Sequence, residues 1–183
     1  MRIRPVEKPR SLVVRIAYWV TRRQFGKVPE AFQVIYGNAP ALAQCSHTLS
    51  RTMEKRLSLD EELVLLVTTQ SSLINGCAFC ADLHEAQAVQ AKMGMERFRD
   101  LPEFRTSPHF SQRERAALAF TEEVTRGRKC SDATFAALRS HFDERQIVEL
   151  SWLNAVGNFF SLMAVGLGLE SDGLAELARR KAS

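Results

Sequence analysis

Apolar residues recur along most of this chain at intervals of three and four, the spacing that gathers side chains on one face of an α-helix. After Ser58-Leu-Asp-Glu61, residues Leu59, Leu63, Leu66 and Leu73 fall on one such stripe. After Ser111-Gln-Arg-Glu114, Ala117, Phe120 and Val124 do the same. Both tetrads have the form of a capping box, in which a Ser hydroxyl and a Glu carboxylate each accept from the other residue's backbone amide. Another helix is expected from near Asp132, with Phe135, Leu138 and Phe142 inward, and a further one from about Asp143. Ser171 and Asp172 are placed to cap a short closing helix ending in Arg179, Arg180 and Lys181, where the helix dipole favours cations. The run LVLLVTT (63–69) is apolar enough for a buried strand, but nothing near it alternates to pair with it. The predicted fold class is all-α, a helical bundle.

Composition narrows the class. At 183 residues and 45% apolar content, the chain suits one domain with a sizeable core. The net charge of +4 is concentrated early: Arg2, Arg4, Lys8, Arg10, Arg15, Arg22, Arg23 and Lys27 face only Glu7 and Glu30. Residues 1–28 are accordingly read as a basic arm and first helix, and residues 29–183 as the helical domain, with Pro29 and Pro40 punctuating its start. The arm has no aromatic-basic interleaving, so it is expected to pack on a neighbouring subunit rather than on nucleic acid. Arg15 breaks the apolar run SLVVRIAYWV, and no cleavage signal follows it. Residues 150–169, LSWLNAVGNFFSLMAVGLGL, carry no charge and are long enough to cross a bilayer. Asn154, Asn158, Ser161 and three glycines instead suit a central helix of a bundle or oligomer. A soluble, cytoplasmic protein is expected, without membrane attachment.

The candidate chemistry sits in LINGCAFCADLHEAQA (73–88). Asn75-Gly76 is a turn signal, and from Cys77 the pattern is helical to Met93, with Gly94 as its stop. Cys77, Cys80 and His84 are then spaced i, i+3 and i+7, on one narrow stripe. Two cysteines three apart in a helix can close a disulfide with modest adjustment. A histidine one turn further on can exchange a proton with the second. Cys77 starts the helix, where free amides and the dipole lower a thiol pKa. Three chemistries remain open on this pattern: a dithiol redox centre, part of a zinc site, or two buried core cysteines. Zinc would need a fourth ligand, and Cys45, His47, His109, Cys130 and His141 are all isolated in sequence.

INGCAFCADLH resembles the signature of the alkylhydroperoxidase D (AhpD-like) branch of the carboxymuconolactone decarboxylase-like superfamily, Cys-x-x-Cys-x-x-x-His after an Asn-Gly-type turn. FGKVPEAFQVIYGNAPAL before it resembles flanking helices of longer members, as do FSQRERAALAFTEEVTRG and FDERQIVELSWLNAVGNFF after it. The resemblance implies an AhpD-like helical bundle assembling as an oligomer, trimer or hexamer, and no cofactor or metal is expected. It implies reduction of alkyl hydroperoxides through a Cys-x-x-Cys disulfide cycle, with a dithiol donor returning the electrons. Matched position by position, Cys80 is the cysteine that attacks peroxide, Cys77 its resolving partner and His84 the relay histidine. The dipole argument favours Cys77 as the more acidic thiol, but His84 adjoins Cys80, and Cys80 is taken as the nucleophile.

Two positions depart from the pattern. Twelve residues before Cys77, where the family carries a relay glutamate, stands Leu65. Glu61 and Glu62 lie one turn earlier, about 40° and 60° away round the helix. The second histidine of the hydroperoxidase is replaced by Phe79, expected in the core. Both changes weaken proton transfer, so a slow peroxidase is expected, or a thiol oxidoreductase whose true substrate is not peroxide. Cys45 and Cys130 are read as unpaired and half-buried, His47 and His141 as surface or capping residues, and Trp152, Phe159 and Phe160 as core or oligomer contacts. A zinc-stabilised binding module and a cysteine-independent lactone lyase or decarboxylase are the alternatives.

Overall fold

Every residue from Leu63 to Ser72 is buried, so helix α4 (Glu61–Ile74) has no solvent face over its middle turns. A single stripe of leucines therefore understates it. Leu59, Leu63 and Leu66 are buried as expected, but Leu73 at its end is 43% exposed. The computed structural model describes residues 2–182, and its other helices pack on this one or on its neighbours. They are α1 (Leu12–Phe25), α2 (Glu30–Asn38), α3 (Ala41–Lys55), α5 (Ala78–Gln90), α6 (Met95–Arg99), α7 (Gln112–Gly127), α8 (Asp132–Arg139), α9 (Glu144–Leu167) and α10 (Leu174–Ala182). A 3-10 turn at Leu101–Glu103 is the remaining regular element, and no strand occurs among the described residues. The fold is all-α.

Three apolar clusters hold the bundle. One face of α4 packs Leu63, Val64 and Val67 against Ala117 and Phe120 of α7 and Leu150 and Leu153 of α9. The opposite face packs Leu65 and Leu66 against Phe98, Leu101, Phe104 and Phe110. The third cluster joins Val14 and Tyr18 of α1, Val34 and Ile35 of α2, Cys77 and Cys80, and Leu174 and Ala178 of α10. The helix α9 is long and apolar enough to cross a membrane. Its polar side chains are nevertheless engaged inside the bundle. Asn154 accepts from Ser71 at 2.8 Å and from Thr125 at 3.0 Å, and Asn158 accepts from Asn75 at 2.9 Å. A Cβ at Gly157 would come within 3.4 Å of Ser71, and that close approach lets α9 lie against α4.

The helix starts test the capping signals. Ser111 and Glu114 form the expected box at α7, and Asp143 with Gln146 forms another at α9. At α4 the cap is Asp60, whose carboxylate accepts from Leu63 N at 2.8 Å. Ser58 lies outside the helix because Glu149 takes both its amide and its hydroxyl, each at 2.7 Å. At α8, Leu138 and Phe142 are buried but Phe135 is 40% exposed. The helix α5 ends at Gln90, short of Met93. Lys92 adopts the left-handed conformation (φ 58°), and Met93 N closes onto Ala88 O at 3.0 Å.

The basic arm lies along its own chain. Val6 N donates to Gln33 O at 3.1 Å, Tyr18 donates to Val6 O at 2.9 Å, and Arg2 donates to Gly166 O at 3.0 Å. These contacts hold the start of the arm against its own chain. They leave Leu12, Val13, Ile16, Trp19 and Val20 of α1 exposed.

Candidate active site

The turn Ser72–Cys77 brings the three motif residues to α4 and α9. Gly76 takes φ +67°, which L side chains rarely adopt, and Cys77 N then bonds back to Ser72 O at 2.9 Å. This reverses the chain so that α5 packs on α4. Cys77 becomes the N-cap, its sulfur accepting from Cys80 N at 3.2 Å. Cys77 and Cys80 are joined as a disulfide across a Cα separation of 5.3 Å. Both are buried, at 1% and 5% exposure.

The two sulfurs differ in what they face. A cavity of about 400 Å³ is lined by Cys80 and His84 from α5, but Cys77 is not part of its wall. Its other walls are largely apolar, with Phe32 and Tyr36 of α2, Leu65 of α4, and Phe160 and Met163 of α9, and Gln24, Glu54, Lys55, Glu61 and Gln87 add a polar part. Phe79 is buried in the core as expected and also lines the cavity. Phe160, expected as a core or oligomer contact, is a cavity wall, whereas Phe159 on the same turn is 47% exposed.

His84 is half-buried in the cavity wall, and desolvation there pushes its pKa down to about 4. Its Nδ1 lies 3.4 Å from the Ser72 hydroxyl. The imidazole is therefore neutral through the physiological range, a proton relay rather than a standing cation. The two candidate carboxylates separate cleanly. Glu61 lines the cavity near its open edge and is exposed. Glu62 points away and pairs with Arg97, which also binds Glu114.

The remaining sequence candidates lie apart from this centre. His47 and His141 are exposed, and His109 pairs with Asp100 at 3.0 Å. Cys130 is a partly exposed free thiol. Cys45 is also free but fully exposed rather than half-buried, because it lies on the outer face of α3. Among the described residues, no three His, Cys, Asp or Glu side chains gather as a metal-binding group.

Two residues that shape the site carried no usable sequence signal. Ser72 reaches His84 only because the turn folds α5 onto α4. Asp82, two residues before His84, is 9% exposed and accepts from the backbone amides of Asp172, Leu174 and Ala175 at 3.0, 2.9 and 2.9 Å. It caps α10, the role expected of Ser171 and Asp172. Asp172 instead binds Lys27 at 2.7 Å and the Glu30 amide of α2. Carboxylates from distant segments thus cap two helices against the motif helix.

The all-helical bundle carrying the buried Cys-x-x-Cys-x-x-x-His segment has the fold of AhpD-like structures. Residues 40–123 match the model of the carboxymuconolactone decarboxylase family. The chain is 24% identical over 172 residues to the uncharacterized protein YnjA of Escherichia coli K12, covering 93% of this chain and 94% of that one. A crystal structure from Agrobacterium tumefaciens, of unknown function and a candidate antioxidant defence protein AhpD, superposes with a TM-score of 0.70. It is 25% identical and covers 74% of this chain and 94% of its own. The debrominase Bmp8, solved as a cysteine variant with 2,3,4-tribromopyrrole, superposes with a TM-score of 0.84 at 17% identity. That match covers 100% of this chain and 98% of Bmp8, a likeness of fold.

Proposed function

We propose that this protein is a thiol oxidoreductase that reduces organic hydroperoxides, with Cys80 as nucleophile, Cys77 as resolving thiol and His84 as proton relay. One observation carries the reading: Cys80 opens onto a largely apolar cavity beside His84, while Cys77 lies behind it within bonding reach. In the reduced protein, the Cys80 thiolate attacks the terminal peroxide oxygen of ROOH. The O–O bond breaks, Cys80 becomes a sulfenic acid, and the leaving alkoxide takes the proton that His84 received from the Cys80 thiol. Cys77 then attacks the Cys80 sulfur, releasing water and closing the disulfide. A dithiol donor returns two electrons and two protons by exchange. With His84 only weakly basic and Leu65 in place of a carboxylate, the cycle is slow. A cytoplasmic location and assembly as a trimer or hexamer are part of the proposal, and the exposed apolar residues of α1 and α9 support the assembly.

The test treats reduced protein with one equivalent of cumene hydroperoxide and maps the peptide holding residues 77–80 by mass. Loss of two hydrogens, abolished by Cys80→Ser, is expected. Oxidation no faster than that of a free thiol would overturn the reading. The aromatic lining and the fold shared with a debrominase favour a second substrate class, a brominated pyrrole. That reaction would convert the two thiols and a C–Br bond into a disulfide, a C–H bond and HBr. Bromide release in the same assay separates the two.

A further inference from the structure

The Ser72 hydroxyl sits where α4, α5 and α9 meet. It donates to Thr68 O at 2.8 Å, and its oxygen lies 3.4 Å from both His84 Nδ1 and Ser161 Oγ. A serine has one proton to give and two lone pairs. With the proton committed to Thr68 O, the oxygen can only accept from its other two neighbours. One lone pair takes the Ser161 hydroxyl, and the other takes an N–H from Nδ1. Ser72 is fully buried, so no bulk solvent offers an alternative arrangement. Among the described residues, Ser72 is the only hydrogen-bond partner of the His84 ring.

We propose that Ser72 is a positioning residue that holds His84 as the Nδ1–H tautomer, leaving Nε2 as the basic nitrogen that exchanges protons with Cys80. The assignment rests on the thiol cycle proposed above. In that cycle a ring with its proton on Nε2 would present a donor where a base is needed. A hydroxyl performs the orienting task without adding charge. It does not raise the ring's basicity as a carboxylate would, which fits a histidine that stays neutral. The third residue of the relay is thus a serine reaching in from α4, two turns along the same face from Leu65, with Ser161 of α9 completing its hydrogen bonds.

The experiment labels the histidines of the full chain with 15N and reads the tautomer of His84 from long-range proton–nitrogen correlations at pH 7. The rate of Cys80 oxidation by cumene hydroperoxide is measured alongside. The wild type is expected to show the Nδ1–H form. Ser72→Ala should lose that preference and slow oxidation about tenfold. Ser72→Thr, which keeps the hydroxyl, should restore both, and Ser161→Ala, which removes a donor but not the acceptor, should move neither. An Nε2–H ring in the wild type would overturn the proposal even if Ser72→Ala failed to fold. Equal slowing in Ser161→Ala and Ser72→Ala with an unmoved tautomer would also overturn it, since packing alone would explain the loss. Absence of any hydroperoxide reaction would remove the thiol cycle instead, while the tautomer would still be read.

Discussion

Asp82 and Ala175 lie 93 positions apart, and the Asp82 carboxylate accepts the Ala175 amide at 2.9 Å. This bond, with those from Leu174 and Asp172, seats the closing helix on the helix that carries Cys80 and His84. The free amides at the start of α10 are satisfied by a buried side chain from elsewhere instead of by a local cap.

Loss of that carboxylate should therefore loosen the motif helix and α10 together. Asp82→Ala is expected to destabilise the fold by about 2 kcal/mol, because it orphans several amides at once. Burial alone would raise the Asp82 pKa, but the bonds from Ala175, Leu174, Ser171 and Asp172 outweigh it and hold it below the ordinary carboxylate value. The contribution is thus present above the unfolded pKa and fades as pH falls through the lower folded value. Urea melts of wild type and variant across the acid range should converge at low pH.

His84 makes a second acid-side contribution of a different kind. Its pKa is lowered by burial from 6.5 to about 4, so the unfolded chain binds a proton more readily than the folded one. Stability from this group is complete above about pH 6.5 and is lost as pH falls toward about 4, on the order of 1–3 kcal/mol. His84→Gln should flatten that part of the stability profile. A profile unchanged by the substitution would show that the ring titrates normally.

Leu65 offers a gain of function. It is 8% exposed and lines the cavity at the position where the alkylhydroperoxidase pattern carries glutamate. Leu65→Glu should speed oxidation of Cys80 by hydroperoxide about tenfold by adding a carboxylate to the relay. The same change should lower stability by about 1–3 kcal/mol, because the group is largely desolvated. Stopped-flow rates and thermal melts on one preparation read both effects.

Arg97 ties the surface of α4 to α7 by binding Glu62 and Glu114, and its guanidinium lies over the Phe110 ring at 5.6 Å. Arg97→Ala should cost about 1–2 kcal/mol, since it strands two partly buried carboxylates. Arg97→Lys should recover less than half, lacking the planar fork that reaches both acids. Because Glu62 is engaged here and not in the cavity, Glu62→Gln should leave hydroperoxide oxidation unchanged.

The helical class followed from the sequence because apolar spacing and capping chemistry act within one or two turns. Ser111 with Glu114 sufficed to place α7, and Asp143 marked the start of α9. Cys80 and His84 share α5 and Cys77 caps it, so the grouping of the three was legible from spacing alone. Local rules failed where a distant side chain competed for the same group. Glu149 drew Ser58 away from its cap, and Asp82 displaced Ser171 and Asp172 at α10. The difference between the two sulfurs, the largely apolar cavity and the Ser72 contact were decided only by the tertiary structure. Each depends on how α4, α5 and α9 approach one another, and a solvent boundary or a hydrogen bond across three helices has no period along the chain.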